Sequence, residues 1–141
     1  MNREYEVIQI SVYVDAVYTI LMEHNDISIV QLVFYSYVLN KTRFFEKGIY
    51  TANTKNDIVK KQISVISGDF EGFSNAIPFI LKAIHIMNKS GIISVEDKYV
   101  HLINKKYKSI YAKLSNFEKK AITESKRWSD KRFIKEVLHC V

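Results

Sequence analysis

The stretch "KSGIISVEDKYVHLINKK", residues 89–106, decides how this sequence is read. Gly91 suits the left-handed backbone just past a helix end, where other residues are strained. Beyond it Ile93 and Val95 alternate with polar residues, as do Val100 and Leu102 after the Glu96-Asp97-Lys98 turn. That period of two predicts a β-hairpin over about 92–103 with one apolar face against a core. Just upstream, "NAIPFILKAIHIMNK" predicts a helix over 75–89, with Pro78 accommodated in its first turn.

Working outward, Val7, Ile10, Val14, Val17 and Leu21 recur at helical spacing and predict a first helix over about 4–23. A strand competes at 7–14, because Ile8, Ile10, Val12 and Val14 also alternate. Asp26 is placed to cap a second helix carrying Ile29, Leu32, Val33 and Leu39. "KTRFFEKGIYTANTK" then reads as a polar connection, and Ile58, Val59, Gln62, Ile63 and Ile66 set a third helix over about 56–66. Gly68 suits its terminator and Gly72 a turn. After the hairpin, Tyr107, Ile110, Tyr111, Leu114, Phe117 and Ala121 keep helical period, with a restart near Ser115, which forms a capping-box pattern with Glu118. Ser129 caps a last helix presenting Phe133, Ile134, Val137 and Leu138. A helix running into such a hairpin has the outline of a winged helix. The expected fold class is therefore mainly α: a single winged-helix-like domain, with its core at about 4–103 and a basic C-terminal helical extension at about 105–141.

The totals agree with one compact domain. The chain has 141 residues, 48% of them hydrophobic, with one proline and four glycines. No run approaches the length of an apolar membrane span, so no membrane contact is expected. The beginning, "MNREYEV", lacks the basic-then-apolar layout of a secretory signal, and a single cysteine, Cys140, excludes an internal disulfide. A cytoplasmic location is the resulting expectation. The net charge of +6 is concentrated: residues 104–141 hold eleven basic and four acidic side chains, against one and five in residues 1–40. Such asymmetry points to an acidic partner, nucleic acid or protein, unless it only solvates a helix surface.

Catalytic and metal patterns are weak. His24, His85, His101 and His139 fall in separate elements, and no pair has the i, i+4 spacing of a helical metal site. "GDFEG" at 68–72 lacks the lysine and hydroxyl of a phosphate-cradling loop. No enzyme and no cofactor are expected. Helix 75–89 offers Lys82, His85, Asn88 and Lys89 but no arginine, and apolar residues cover most of its circumference. It is thus expected to be buried rather than to lie in a DNA groove. The wing turn is acidic where a phosphate grip would want lysine. Interface candidates come instead from "ESKRWSDKRFIKEVL". In it Lys126, Arg127, Trp128, Lys131, Arg132 and Phe133 combine arginine and aromatic residues as interface hot spots do. The same residues allow non-specific DNA contact through the basic C-terminal region. Lys98, Tyr99 and His101 are the possible contacts of the wing.

The apolar helix, the "GIISVEDKYVHLI" hairpin and the terminal "ESKRWSDKRFIKEVL", in that order, resemble the small middle component of bacterial ABC-three-component systems. These include Lamassu-type anti-phage and anti-plasmid defence operons. The resemblance runs from about Asp26 onward and rests on pattern and order. It implies a non-catalytic adapter that accompanies an SMC- or Rad50-like ATPase and an effector subunit, often a nuclease, and restrains the effector until foreign DNA is sensed. The alternative is a free-standing winged-helix transcriptional regulator.

Overall fold

The computed structural model describes residues 3–42, 55–105 and 114–140. Six helices and three short strands occur among them. They are α1 (Arg3–Glu23), β1 (Ile27–Ser28), α2 (Ile29–Thr42), α3 (Lys55–Ser64), α4 (Phe70–Lys89), β2 (Ile93–Glu96), β3 (Tyr99–Leu102), α5 (Asn116–Ser125) and α6 (Asp130–Cys140). The connection holding Phe44 and Phe45, and the start of the periodic segment at Tyr107, Ile110 and Tyr111, lie outside the described residues.

The first segment is a helix, which settles the competition with a strand. Its apolar positions Tyr13, Ala16, Val17, Ile20 and Leu21, at i, i+3, i+4, i+7 and i+8, are buried. So are Asp15, Tyr18 and Thr19 between them, so residues 15–21 are enclosed all round. Val7, expected among these apolar positions, is exposed. By length and composition α1 would suffice to cross a membrane. Here it packs against α2 and α4, and its buried residues lie in its C-terminal half.

Asp26 does not cap α2. It takes a left-handed backbone, φ 63°, and lends its N–H to the Val100 carbonyl at 3.1 Å. Ser28 does the capping, its Oγ accepting the Gln31 N–H at 3.2 Å. Between them Ile27 pairs with Val100 and Ser28 with Tyr99, forming a strand too short to be read from sequence. The helix that follows is, like the second half of α1, buried nearly all round. Leu32, Phe34, Tyr35, Val38 and Leu39 are each almost wholly enclosed.

Helix α4 starts at Phe70, earlier than the spacing predicts, so Pro78 sits inside it rather than in its first turn. Gly72 is accordingly a helical residue. A Cβ there would meet the Asp69 carboxylate and come within 2.7 Å of the Tyr37 hydroxyl, so only glycine lets these groups approach. The far end terminates as expected. Gly91 has φ 78°, its N–H reaches the Asn88 carbonyl at 3.3 Å, and the Ile92 N–H reaches Met87 at 3.0 Å. These two bonds make a Schellman motif.

The hairpin pairs Ile93 with Leu102 and Val95 with Val100, and the sheet order is β1-β3-β2. Asp97, the first turn residue, takes φ 60°. Strand, helices, then hairpin, with the first strand beside the last, is a winged-helix-like layout in a mainly helical chain. α3 is inserted before α4, and α5 and α6 are appended. The appended pair has the predicted caps. Ser115 and Glu118 form a reciprocal capping box, and Ser129 Oγ accepts the Arg132 N–H at 3.1 Å. α5 packs on α3, and α6 packs on α2 and α3. Phe34 sits where α2, α4 and α6 meet, edge-on to Tyr35, Phe73 and Phe133 with ring centres 5.2–5.9 Å away.

Candidate interaction surfaces

Two depressions with different chemistry lie on either side of the start of α6. The first gathers residues that the sequence placed in two separate candidate groups. Lys98 and Tyr99 of the hairpin meet Lys126, Trp128 and Asp130 in a polar cleft of about 80 Å³. Its charged groups are already engaged. Asp130 accepts from Ser28 Oγ at 2.7 Å and lies 3.8 Å from Lys98 Nζ. Lys126 Nζ donates to the Asn25 carbonyl at 2.6 Å, and His101 pairs with Asp26 through Nδ1. Gln31, buried, donates to the Ser125 carbonyl at 2.6 Å. These bonds tie the hairpin, the α1–α2 corner and the α5–α6 corner together. Among the described residues no three His, Cys, Asp or Glu side chains are grouped as metal ligands.

The C-terminal candidates divide between core and surface. Phe133 is fully enclosed, and Trp128, an interface candidate in the sequence, is 7% exposed. A large aromatic ring gains more by leaving water than by standing in it. The Arg132 guanidinium lies 3.7 Å from the Trp128 ring centre, stacked over its face. Arg127, in the turn just past α5, stands in solvent 3.9 Å from Glu124, an arrangement that contributes little to stability. Lys131 is exposed. Tyr99 is partly exposed, with the Lys98 ammonium 5.6 Å from its ring centre.

The second depression was not legible as a site in the sequence. It is a groove of about 360 Å³ whose lining residues are all apolar. α2 forms the floor with Val33 and Phe34, α4 one wall with Phe73 and Ile77, and α6 the other with Phe133 and Val137. Above these buried groups stand four large side chains with substantial exposure: Phe70 at 47%, Leu81 at 44%, Ile134 at 42% and Leu138 at 57%. Scattered exposed hydrophobics are ordinary, but four converging on one concave apolar surface mark an interaction site. In the sequence, Ile134 and Leu138 look like continuations of the core stripe of α6. Only the gap between α4 and α6 turns them outward into a groove.

α4 itself is amphipathic rather than buried all round. Phe79, Ile80, Ala83, Ile84 and Met87 face the core, while Lys82, His85, Ile86 and Lys89 face out. Lys82 pairs with Glu6 of α1, whose carboxyl is thereby held below its usual pKa. At the other end of α4, Tyr37 and Lys41 of α2 both bond Asp69. The Lys41 ammonium, followed by the Tyr37 hydroxyl, holds the Asp69 carboxyl below its usual range, while burial and that carboxylate push the Tyr37 hydroxyl up. This cluster clasps the start of α4 to the end of α2.

Fold and surfaces together define a small winged-helix-like helical domain whose open feature is an apolar groove walled by helices. No protein-family model matches this chain, and neither a curated protein nor a solved structure matches it.

Proposed function

We propose that the chain is a non-catalytic adapter that docks onto a larger protein. The apolar groove carries this reading. An unfilled surface of Phe70, Leu81, Ile134 and Leu138 loses free energy to water until something covers it, at roughly 25 cal/mol per Å² of apolar surface. Its lining offers no polar group to orient a substrate or activate a nucleophile, which catalysis needs. The resemblance noted above supplies the setting. The partner is an SMC- or Rad50-like ATPase, the third member an effector subunit, and the assembly a cytoplasmic anti-phage defence complex. The DNA-regulator alternative gains nothing from α4, because Lys82 on its outer face is occupied by Glu6 and the wing turn stays acidic.

Co-expression with the neighbouring ATPase and effector genes, followed by affinity capture on this chain, tests the reading. Ile134→Asp with Leu138→Asp is expected to lower ATPase recovery by about tenfold or more, as loss of a central anchor does. Trp128→Ala with Arg132→Glu asks the same of the C-terminal segment. Full recovery with the groove variant, in a folded protein, removes the groove from the interface. Tight, salt-sensitive binding of the isolated chain to one duplex sequence favours the regulator instead.

A further inference from the structure

We infer that the groove takes an amphipathic helix flanked by acidic residues, presented by the protein partner; this rests on the docking reading above. The shape sets the length. From Phe70 to Leu81 the α4 wall runs three turns, about 16 Å, which matches three turns of a ligand helix with large apolar side chains at i, i+4 and i+7. A small molecule fits less well, because such pockets place a few polar groups to fix orientation and this lining has none.

Charge along the rim selects the class of helix. Lys131 and Lys135 are exposed on α6, each three residues before a groove residue, Ile134 or Leu138, and so beside it on the helix surface. Lys98 pairs with Asp130 and Arg127 with Glu124, whereas Lys131 and Lys135 pair with no described carboxylate. The opposite wall adds one carboxylate, Glu71, beside Phe70, so the basic character is confined to the α6 side. A ligand helix with carboxylates along one edge of its apolar stripe would meet both lysines. One with lysines there would be repelled.

Two synthetic helical peptides test this on the full chain by fluorescence anisotropy. Both carry the same leucine stripe, one edged with glutamates and the other with lysines. The glutamate peptide is expected to bind at least about tenfold more tightly at low salt, with the difference shrinking as salt is raised. Lys131→Glu with Lys135→Glu should reverse the preference, while circular dichroism confirms that the fold is kept. Ile134→Asp with Leu138→Asp should abolish binding of both peptides. Equal binding of the two peptides, or a preference the lysine reversals leave unchanged, overturns the inference. So does failure of the full chain to bind either peptide, which means its own residues close the groove. A dimer in sedimentation that Leu138→Asp dissociates assigns the groove to a second copy and also overturns it. Capture of the ATPase through the groove alongside any of these results leaves the adapter reading standing and sinks only the acidic helix.

Discussion

The polar cleft and the apolar groove both border α6, and they are finished to different degrees. In the cleft, Asp130, Lys98, Lys126 and Gln31 have partners inside the chain, so its residues act as fasteners between the hairpin and the C-terminal helices. In the groove, four large hydrophobic side chains project with nothing across from them among the described residues. The contrast teaches where to look for a partner. A site rich in charged residues can be internally complete, while a plain apolar surface is the one left unsatisfied.

The contrast is most exposed at Phe133, which belongs to the α6 wall of the groove and to the core at once. Phe133→Ala is expected to cost about 3–5 kcal/mol in urea unfolding, because it removes a ring that touches Phe34, Tyr35 and Trp128. A loss under about 1 kcal/mol would mean this wall of the groove is not part of the core. Next in size, Gln31→Ala removes the side-chain donor to the buried Ser125 carbonyl, which keeps the Trp128 N–H at 2.9 Å, and should cost about 0.5–1.5 kcal/mol. A neutral result there would show that the cleft does not fasten α5 to α2.

His24 sharpens the account of the cleft side through pH. It is buried, its Nε2 has no hydrogen-bond partner among the described residues, and burial, with the Lys126 ammonium nearby, lowers its pKa from the usual 6.5. Below pH 6.5 the unfolded chain takes up a proton that the folded chain resists, so stability is full above that pH and falls as the pH drops toward the folded value. The melting temperature should therefore decline from pH 7.5 to about 5, and less steeply in His24→Gln. Parallel curves would remove His24 from the explanation. The smallest change in stability is expected from Leu138→Asp. It should alter unfolding by no more than about 0.5 kcal/mol, because the side chain stands in water in the free protein. A large loss would mean that the groove is closed in solution.

Much of the fold was legible because local chemistry marks it. The hairpin follows from alternation at Ile93, Val95, Val100 and Leu102, and the ends of α4, α5 and α6 follow from Gly91, the Ser115–Glu118 box and Ser129. What escaped reading depends on distant neighbours. β1 is two residues long and exists only because β3 lies beside it. The first turns of α4 look like a loop, since Gly72 and the polar residues around it mark a break, yet the Tyr37–Asp69–Lys41 cluster holds them helical. Burial all round was expected of α4 and falls to α2 and the second half of α1, because sequence period gives a helix its apolar faces but not its place among the others. The groove is legible least of all. It is a property of the space between helices, whereas the basic and aromatic residues that drew attention in "ESKRWSDKRF" turn out to be partly core, partly fastener and partly solvated surface.

The Arg132–Trp128 stack has a practical consequence. Trp128 is the protein's sole tryptophan, and it sits at the joint where the appended helices meet the rest of the fold. Its emission therefore reports one location only. A shift to longer wavelength that precedes loss of helical ellipticity during denaturation would reveal the C-terminal helices peeling away first, without any label being attached.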